Sequence, residues 1–311
     1  MNWFGVMPAM TTPFDRELNV DHAFLAQHAA WLLANGCTGL VLLGSLGEGA
    51  TLEHAEKIEI LKTGVRVAQG KAPVVAAISS LSTRGAVQLA KEAEAVGCSG
   101  LMVLPPYVYT SDWREMKAHV STVIGATKLS CMLYNNPIAY KTDFLPTQIA
   151  ELANEHENLA AVKESSADIR RIAAIREIME DRLKIFVGVD DALVEGVAAG
   201  ATGWIAGLVN AYPAESVQLF KLAMEGRHDD AFALYRWFLP LLRMDTVPKF
   251  VQLIKWVQQE VGVGSAVVRA PRTELHGEEL AAAEATLKQA TATRPQLGEK
   301  AFADFVGASE L

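Results

Sequence analysis

Cysteine is scarce in this chain. Cys37, Cys98 and Cys131 are odd in number, widely spread and without CxxC spacing. That excludes a disulfide framework and fits a reducing compartment. Positive charge is in deficit: 28 Lys and Arg stand against 36 Asp and Glu, a net charge of −8. No electrostatic footprint for nucleic acid is left. No apolar run approaches the ~18 residues of a membrane span. The N-terminal MNWFGVMPAMTTPFD has no basic segment followed by a long apolar stretch, as a secretory signal would. A soluble cytoplasmic protein is expected, with no membrane and no nucleic acid as partner. The seven histidines form no HxxxH or HExxH pair, so no metal site is expected. No GxSxG elbow is present. The glycine-rich stretch Gly44–Thr51 carries Ala50 where a nucleotide-binding loop needs lysine, and it lacks full GxGxxG spacing. No cofactor is called for.

What remains is a core and a repeat of elements. Half of the 311 residues are apolar, enough for one large domain. Short apolar runs recur at Gly5–Met10, Gly39–Leu43, Pro73–Ile78, Gly100–Leu104, Leu129–Tyr134, Leu159–Lys163, Lys184–Val187 and Thr202–Ala206. Amphipathic helical patterns lie between them, the first with Asp21 as N-cap. Eight strands alternating with helices predict an α/β fold, a (β/α)8 TIM barrel with additional C-terminal helices. An open doubly wound sheet is the alternative, and the missing dinucleotide fingerprint argues against it. Residues 1–210 would supply the barrel strands and most helices. Residues 211–290 would hold the last barrel helix and C-terminal helices packed on the barrel, including Pro213–Glu225, Asp229–Leu242 and Thr246–Val261. Residues 291–311 read as a loosely attached tail. The echoes NGCTGL, VGCSGL and AGATGW mark helix-to-strand joints whose first glycine suits a left-handed helix end.

Reactive groups sit where such a barrel builds its active site, at the C-terminal ends of strands. Lys163 closes the run Ala160–Lys163, and strand alternation points it away from Val162 and Glu164. Desolvation would depress its pKa and free an amine able to form a Schiff base. Pairing with a distant carboxylate is the equally weighted structural reading. Tyr134, one strand away, either shuttles a proton to a carbinolamine or is a satisfied core phenol. The turn around Ser45 and Leu46 could present backbone amides to a substrate carboxylate, or be an ordinary turn. Gly188 would allow close approach of a ligand, and Asp190 or Asp191 would cap the next helix rather than catalyse.

Taken together, GSLGE (44–48), YNNP (134–137), VKESS (162–166), GVDD (188–191) and GATGWIAG (200–207) resemble the dihydrodipicolinate synthase / N-acetylneuraminate lyase family. The resemblance runs in order through nearly the whole barrel. It implies a metal-free class I Schiff-base enzyme, commonly a homotetramer built as a dimer of dimers. It also implies Lys163 as the Schiff-base lysine, Tyr134 as the proton shuttle, Ser45 and Leu46 at the carboxylate loop, and Ile205 lining the site. Three positions depart from the synthases. Leu46 replaces a second hydroxyl residue, Val108 a tyrosine offered by a neighbouring subunit, and Ala139 the arginine that binds a second carboxylate. These departures argue against true synthase activity, and the sugar-binding loops of the lyases are not matched. The wording YNNPIAYKTD, KESSADIRRI, FVGVDD and GWIAGLVNAYPAE is most similar to the Δ1-pyrroline-4-hydroxy-2-carboxylate deaminases of 4-hydroxyproline breakdown. The resemblance therefore implies a lyase/hydrolase releasing 2-oxoglutarate semialdehyde and ammonia. The alternatives are a pyruvate-type 2-oxo acid aldolase, dehydratase or dihydrodipicolinate synthase, and a non-catalytic barrel that binds a small acid. Either way the partner is a small 2-oxo acid or cyclic imino acid.

Overall fold

The apolar runs do form strands. In the computed structural model, which describes residues 1–107 and 109–305, they are β1 (Gly5–Pro8), β2 (Leu40–Leu42), β3 (Val74–Ile78), β4 (Gly100–Val103), β5 (Ser130–Asn135), β6 (Leu159–Glu164), β7 (Lys184–Val187) and β8 (Gly203–Ala206). All neighbours pair in parallel, in the order β1-β8-β7-β6-β5-β4-β3-β2. The ring closes through an Ala9–Val41 bridge, with Met10 N donating to the Val41 carbonyl at 2.9 Å. This is the expected (β/α)8 barrel. Both faces of each strand are covered, which is why the strands read as near-continuous apolar runs. Val75, Val103, Val162 and Phe186 are fully buried, each contributing roughly 1.5–3 kcal/mol of apolar transfer.

The helices between strands are α1 (His22–Ala34), α2 (His54–Ala68), α3 (Thr83–Val96), α4 (Trp113–Gly125), a short α5 (Pro137–Tyr140), α6 (Pro146–Glu155), α7 (Arg170–Met179) and α8 (Leu193–Ala198). Asp21 caps α1, its side chain accepting from Phe24 N at 2.9 Å. The three echoed joints place Gly36, Gly97 and Gly200 at φ of 95°, 98° and 109°, where a Cβ would be strained. After β8 come α9 (Pro213–Met224), α10 (His228–Leu242), α11 (Phe250–Glu260) and α12 (Gly277–Ala292). Among the described residues no helix is long and apolar enough to cross a membrane.

Two segments differ from the sequence reading. α11 begins at Phe250, not Thr246, because Pro248 disfavours helix in the residue before it. Residues Arg243–Asp245 instead make a single 3-10 turn. The tail is also tied down through residue 305. Arg294 Nε donates to the buried Glu215 carboxylate at 2.6 Å, and Trp31 Nε1 to the Lys300 carbonyl at 2.7 Å. Phe302 packs its ring against those of Phe24, His28 and Trp31.

Candidate active site

Lys163 and Tyr134 stand side by side, in register across β6 and β5. Successive residues alternate between faces, so Glu164 turns outward, accepting from Asn135 Nδ2 at 3.0 Å and from the Ser166 amide at 2.7 Å. Lys163 turns into the barrel and is 7% exposed. Its Nζ lies 4.4 Å from the centroid of the Tyr134 ring. Among the described residues no carboxylate forms an ion pair with it, so the paired-lysine reading loses its partner. Burial pulls its pKa down to about 8, against the charges of Asp245 and Asp190, which hold it up. At pH 7 roughly one amine in ten is then free, against roughly one in three thousand at the ordinary lysine pKa.

Gly188, expected to admit a ligand, admits Lys163 itself. A Cβ at Gly188 would fall 1.9 Å from Ser165 Oγ and 2.7 Å from Lys163 Cε. Bare backbone at this point lets the lysine stem cross the end of β7.

The Tyr134 phenol accepts from Asn136 Nδ2 at 2.9 Å. Burial pushes its pKa up to about 12, with the Asn136 contact pulling the other way, so it holds its proton at neutral pH. Beside it stands Tyr140, which the sequence reading passed over. The two rings meet edge to face at 5.8 Å, and the Tyr140 hydroxyl is hydrogen-bonded to Ser45 Oγ. Tyr107 faces the same Tyr140 ring at 5.6 Å, within its own chain, whereas Tyr109 is exposed. Val108, the residue compared with a neighbouring subunit's tyrosine, lies outside the described residues. Ala139 is exposed on α5, and its amide is used by the Asn136 cap.

The turn after β2 uses some of its backbone amides and leaves others without a partner. Glu48 N bonds the Ser45 carbonyl at 3.1 Å, and Gly49 N the Gly44 carbonyl at 3.1 Å. Among the described residues nothing accepts from the amides of Ser45, Leu46 and Gly47. Three consecutive free N–H groups are what a carboxylate needs. Leu46 itself is buried, giving the turn an apolar wall instead of a hydroxyl. Glu48, in the left-handed region at φ 54°, anchors the turn from behind. It accepts from Lys255 Nζ at 2.8 Å and from the Arg269 amide at 3.0 Å. Arg272 lies farther out, 3.8 Å from Glu48, and its charge reaches the Tyr140 phenol.

Across the barrel, Ile205 is buried on the lumen face of β8, with Gly203 below it and Gly207 above. Asp190 does not cap a helix as expected. Its carboxylate accepts from Trp204 Nε1 at 3.1 Å, Gly207 N at 3.1 Å and Leu208 N at 2.9 Å. The Trp204 indole and the two amides that follow β8 outcompete the local helix end because they are buried and have no water to turn to. Asp245, from the turn between α10 and α11, reaches over the same strand end. A Cβ at Gly207 would fall 2.0 Å from its Oδ1. A sequence signal for Asp245 or Tyr140 hardly exists, since a 3-10 turn of three residues and a helix of four are too short to show periodicity. A cavity of about 300 Å³ at the opposite end, near Arg176 and Thr202, holds no comparable group.

The motifs, their order and this geometry agree with the chain's relatives. The model of the dihydrodipicolinate synthetase family matches residues 2–290. The chain belongs to that family. It is therefore a Schiff-base-forming lyase by membership. A similar protein is the 4-hydroxy-tetrahydrodipicolinate synthase of Natronomonas pharaonis, 37% identical over 71% of this chain and 75% of its own. Another synthase of that name, from Macrococcus caseolyticus, is 29% identical over 86% of this chain and 89% of its own. Among solved structures, a dihydrodipicolinate synthase of Bacillus anthracis superposes with a TM-score of 0.89 at 26% identity, covering 95% of this chain and 100% of its own. Family membership supplies the fold and the covalent chemistry, while the Ala139 and Leu46 departures bear on the substrate.

Proposed function

We propose that this family member deaminates Δ1-pyrroline-4-hydroxy-2-carboxylate to 2-oxoglutarate semialdehyde and ammonia in the breakdown of 4-hydroxyproline. The observation that carries the reading is at α5. Ala139 offers no guanidinium for a second carboxylate, and Tyr140 beside it turns inward onto Ser45 and Tyr134. A substrate with a single carboxylate suits such a mouth. That carboxylate would rest on the amides of Ser45, Leu46 and Gly47, with Ile205 forming an apolar wall opposite.

Lys163 then attacks the ring imine carbon C2, and Tyr134 moves the proton from the attacking nitrogen to the departing one. The C2–N1 bond breaks, and the ring nitrogen becomes a primary amine on C5. Loss of a C3 proton gives an enamine, whose electrons expel the 4-hydroxyl as water. Proton transfers carry the unsaturation to C5, forming an imine there. Hydrolysis at C5 and at Lys163 consumes two waters and releases ammonia and the semialdehyde. The net reaction adds one water.

The test is intact-mass spectrometry after borohydride reduction, with pyruvate and the pyrroline supplied separately. An adduct on Lys163 from the pyrroline, together with ammonia release, is the expected result. An adduct from pyruvate alone would overturn the deaminase in favour of the synthase or an aldolase. The relatives' names favour that second reading, as does Arg272 near Tyr140. A homotetramer built as a dimer of dimers belongs to the same proposal. Leu81, Tyr109 and Ile138, apolar and exposed in the connections that follow β3, β4 and β5, support it.

A further inference from the structure

Two carboxyl groups flank Lys163, and their surroundings differ. Asp190 is fully buried and accepts from Trp204 Nε1 and the amides of Gly207 and Leu208. Burial pushes its carboxyl up to about 6, while those donors pull the other way and hold it in place. Asp245 is half-buried at the barrel mouth, and among the described residues nothing donates to its side chain or pairs with it. It is nonetheless held closely, because only a glycine at 207 leaves room for its oxygens. Of the charges acting on Lys163, that of Asp245 is the strongest, with Asp190 next. No described residue has an evident structural need for this carboxyl at the mouth of a site built around an amine.

We propose that Asp245 is a catalytic acid that gives its proton to the leaving hydroxyl of the substrate held on Lys163. This rests on the dehydrating reading above. The carbon bound to Nζ is C2, and the hydroxyl sits two carbons farther on. Asp245 Oδ1 stands over Gly207 at the C-terminal end of β8, at the same end of the barrel as Lys163, and among the described residues it forms no ion pair with Nζ. Tyr134, stacked against Nζ, serves the nitrogen end of the molecule, and Asp245 the C4 end. Burial, and then the negative charge of Asp190, push the Asp245 carboxyl well above the usual carboxylate range, against the pull of Lys163. That is the direction an acid requires. In the step, the enamine pair moves to form the C3–C4 double bond, the C4–O bond breaks and the Asp245 proton leaves with the oxygen as water. The carboxylate left behind is then the base that takes the C5 proton.

The test compares Asp245→Asn and Asp245→Ser with the wild type, using the pyrroline, rapid borohydride quenching and ammonia release. Both variants should still trap substrate on Lys163, which shows that the site is folded. Turnover should fall about 100-fold or more. The trapped species should retain the hydroxyl, whereas the wild type accumulates adducts that have lost water. Wild-type turnover with variants within about threefold of it, or variants that trap only dehydrated adducts, would overturn the role of Asp245 alone. A wild type that neither traps nor consumes the pyrroline would overturn the deaminase reading, and the role of Asp245 with it.

Discussion

A lysine whose pKa is pulled down by burial has consequences that can be measured. With the Lys163 pKa near 8, the rate of adduct formation should rise about tenfold per pH unit up to that value and then level off. A single-turnover pH series checks this, and a flat profile between pH 6 and 8 would contradict it. The sign for stability is the opposite of that for a paired lysine. The folded pKa lies below the unfolded one, so the unfolded chain binds more protons between about pH 8 and 10.5, and stability rises across that window. Lys163→Met should therefore stabilise the protein at pH 7 by up to about 3 kcal/mol, and by little above pH 10.5. Denaturant titrations at the two pH values measure the difference. Gly188→Ala should abolish adduct formation, because its Cβ would occupy the space of Ser165 Oγ and Lys163 Cε. Wild-type trapping by that variant would show that the lysine has another route. Lys163 and Tyr134 were legible in the sequence because strand alternation dictates their direction. Asp245 and Tyr140 were not, because in such short helical turns a side chain's direction depends on contacts made far along the chain.

Elements are joined at the site by a buried charge pair. Lys255 of α11 and Glu48 of the turn after β2 are 2% and 0% exposed. Lys255 Nζ also donates to the Thr12 carbonyl at 2.9 Å and lies over the Phe14 ring. One helix thereby fixes the turn that carries the amides of Ser45, Leu46 and Gly47. Lys255→Met removes one partner of a buried pair, a change that costs about 3–5 kcal/mol. The double variant Glu48→Gln with Lys255→Met should recover part of that loss, because neither half of the fully buried pair then carries a charge, and Arg272 still reaches solvent. A loss below about 1 kcal/mol in the single variant would mean that the pair does not hold the turn. In the sequence, Lys255 looks like any helix lysine. Only the docking of α11 across the barrel mouth makes it a buried one.

At the scale of the whole molecule, the chain beyond the barrel contributes more than surface cover. α11 supplies Lys255, the turn before it supplies Asp245, and the segment after it brings Arg269 and Arg272 to Glu48. The tail closes on the opposite side, where Arg294 meets a Glu215 carboxylate that is 1% exposed. Arg294→Ala would leave that carboxylate buried without its cation. An expected loss of about 2–3 kcal/mol follows, read as a lower urea midpoint at unchanged slope. A midpoint equal to the wild type would show the tail to be as loosely held as its polar composition suggests.

The sequence by itself determined the eight strands, the parallel ring and the inward lysine. These rest on local periodicity: apolar runs of strand length, helices between them and glycine at the joints. The fate of the charged residues was decided by tertiary structure alone. Asp190 could have capped a helix, and Lys163 could have found a carboxylate. Which partner each one meets depends on strand ends and C-terminal helices converging from distant parts of the chain. Burial then sets the charge each group carries. Periodicity reports which face a residue occupies, and it carries no information about what stands opposite.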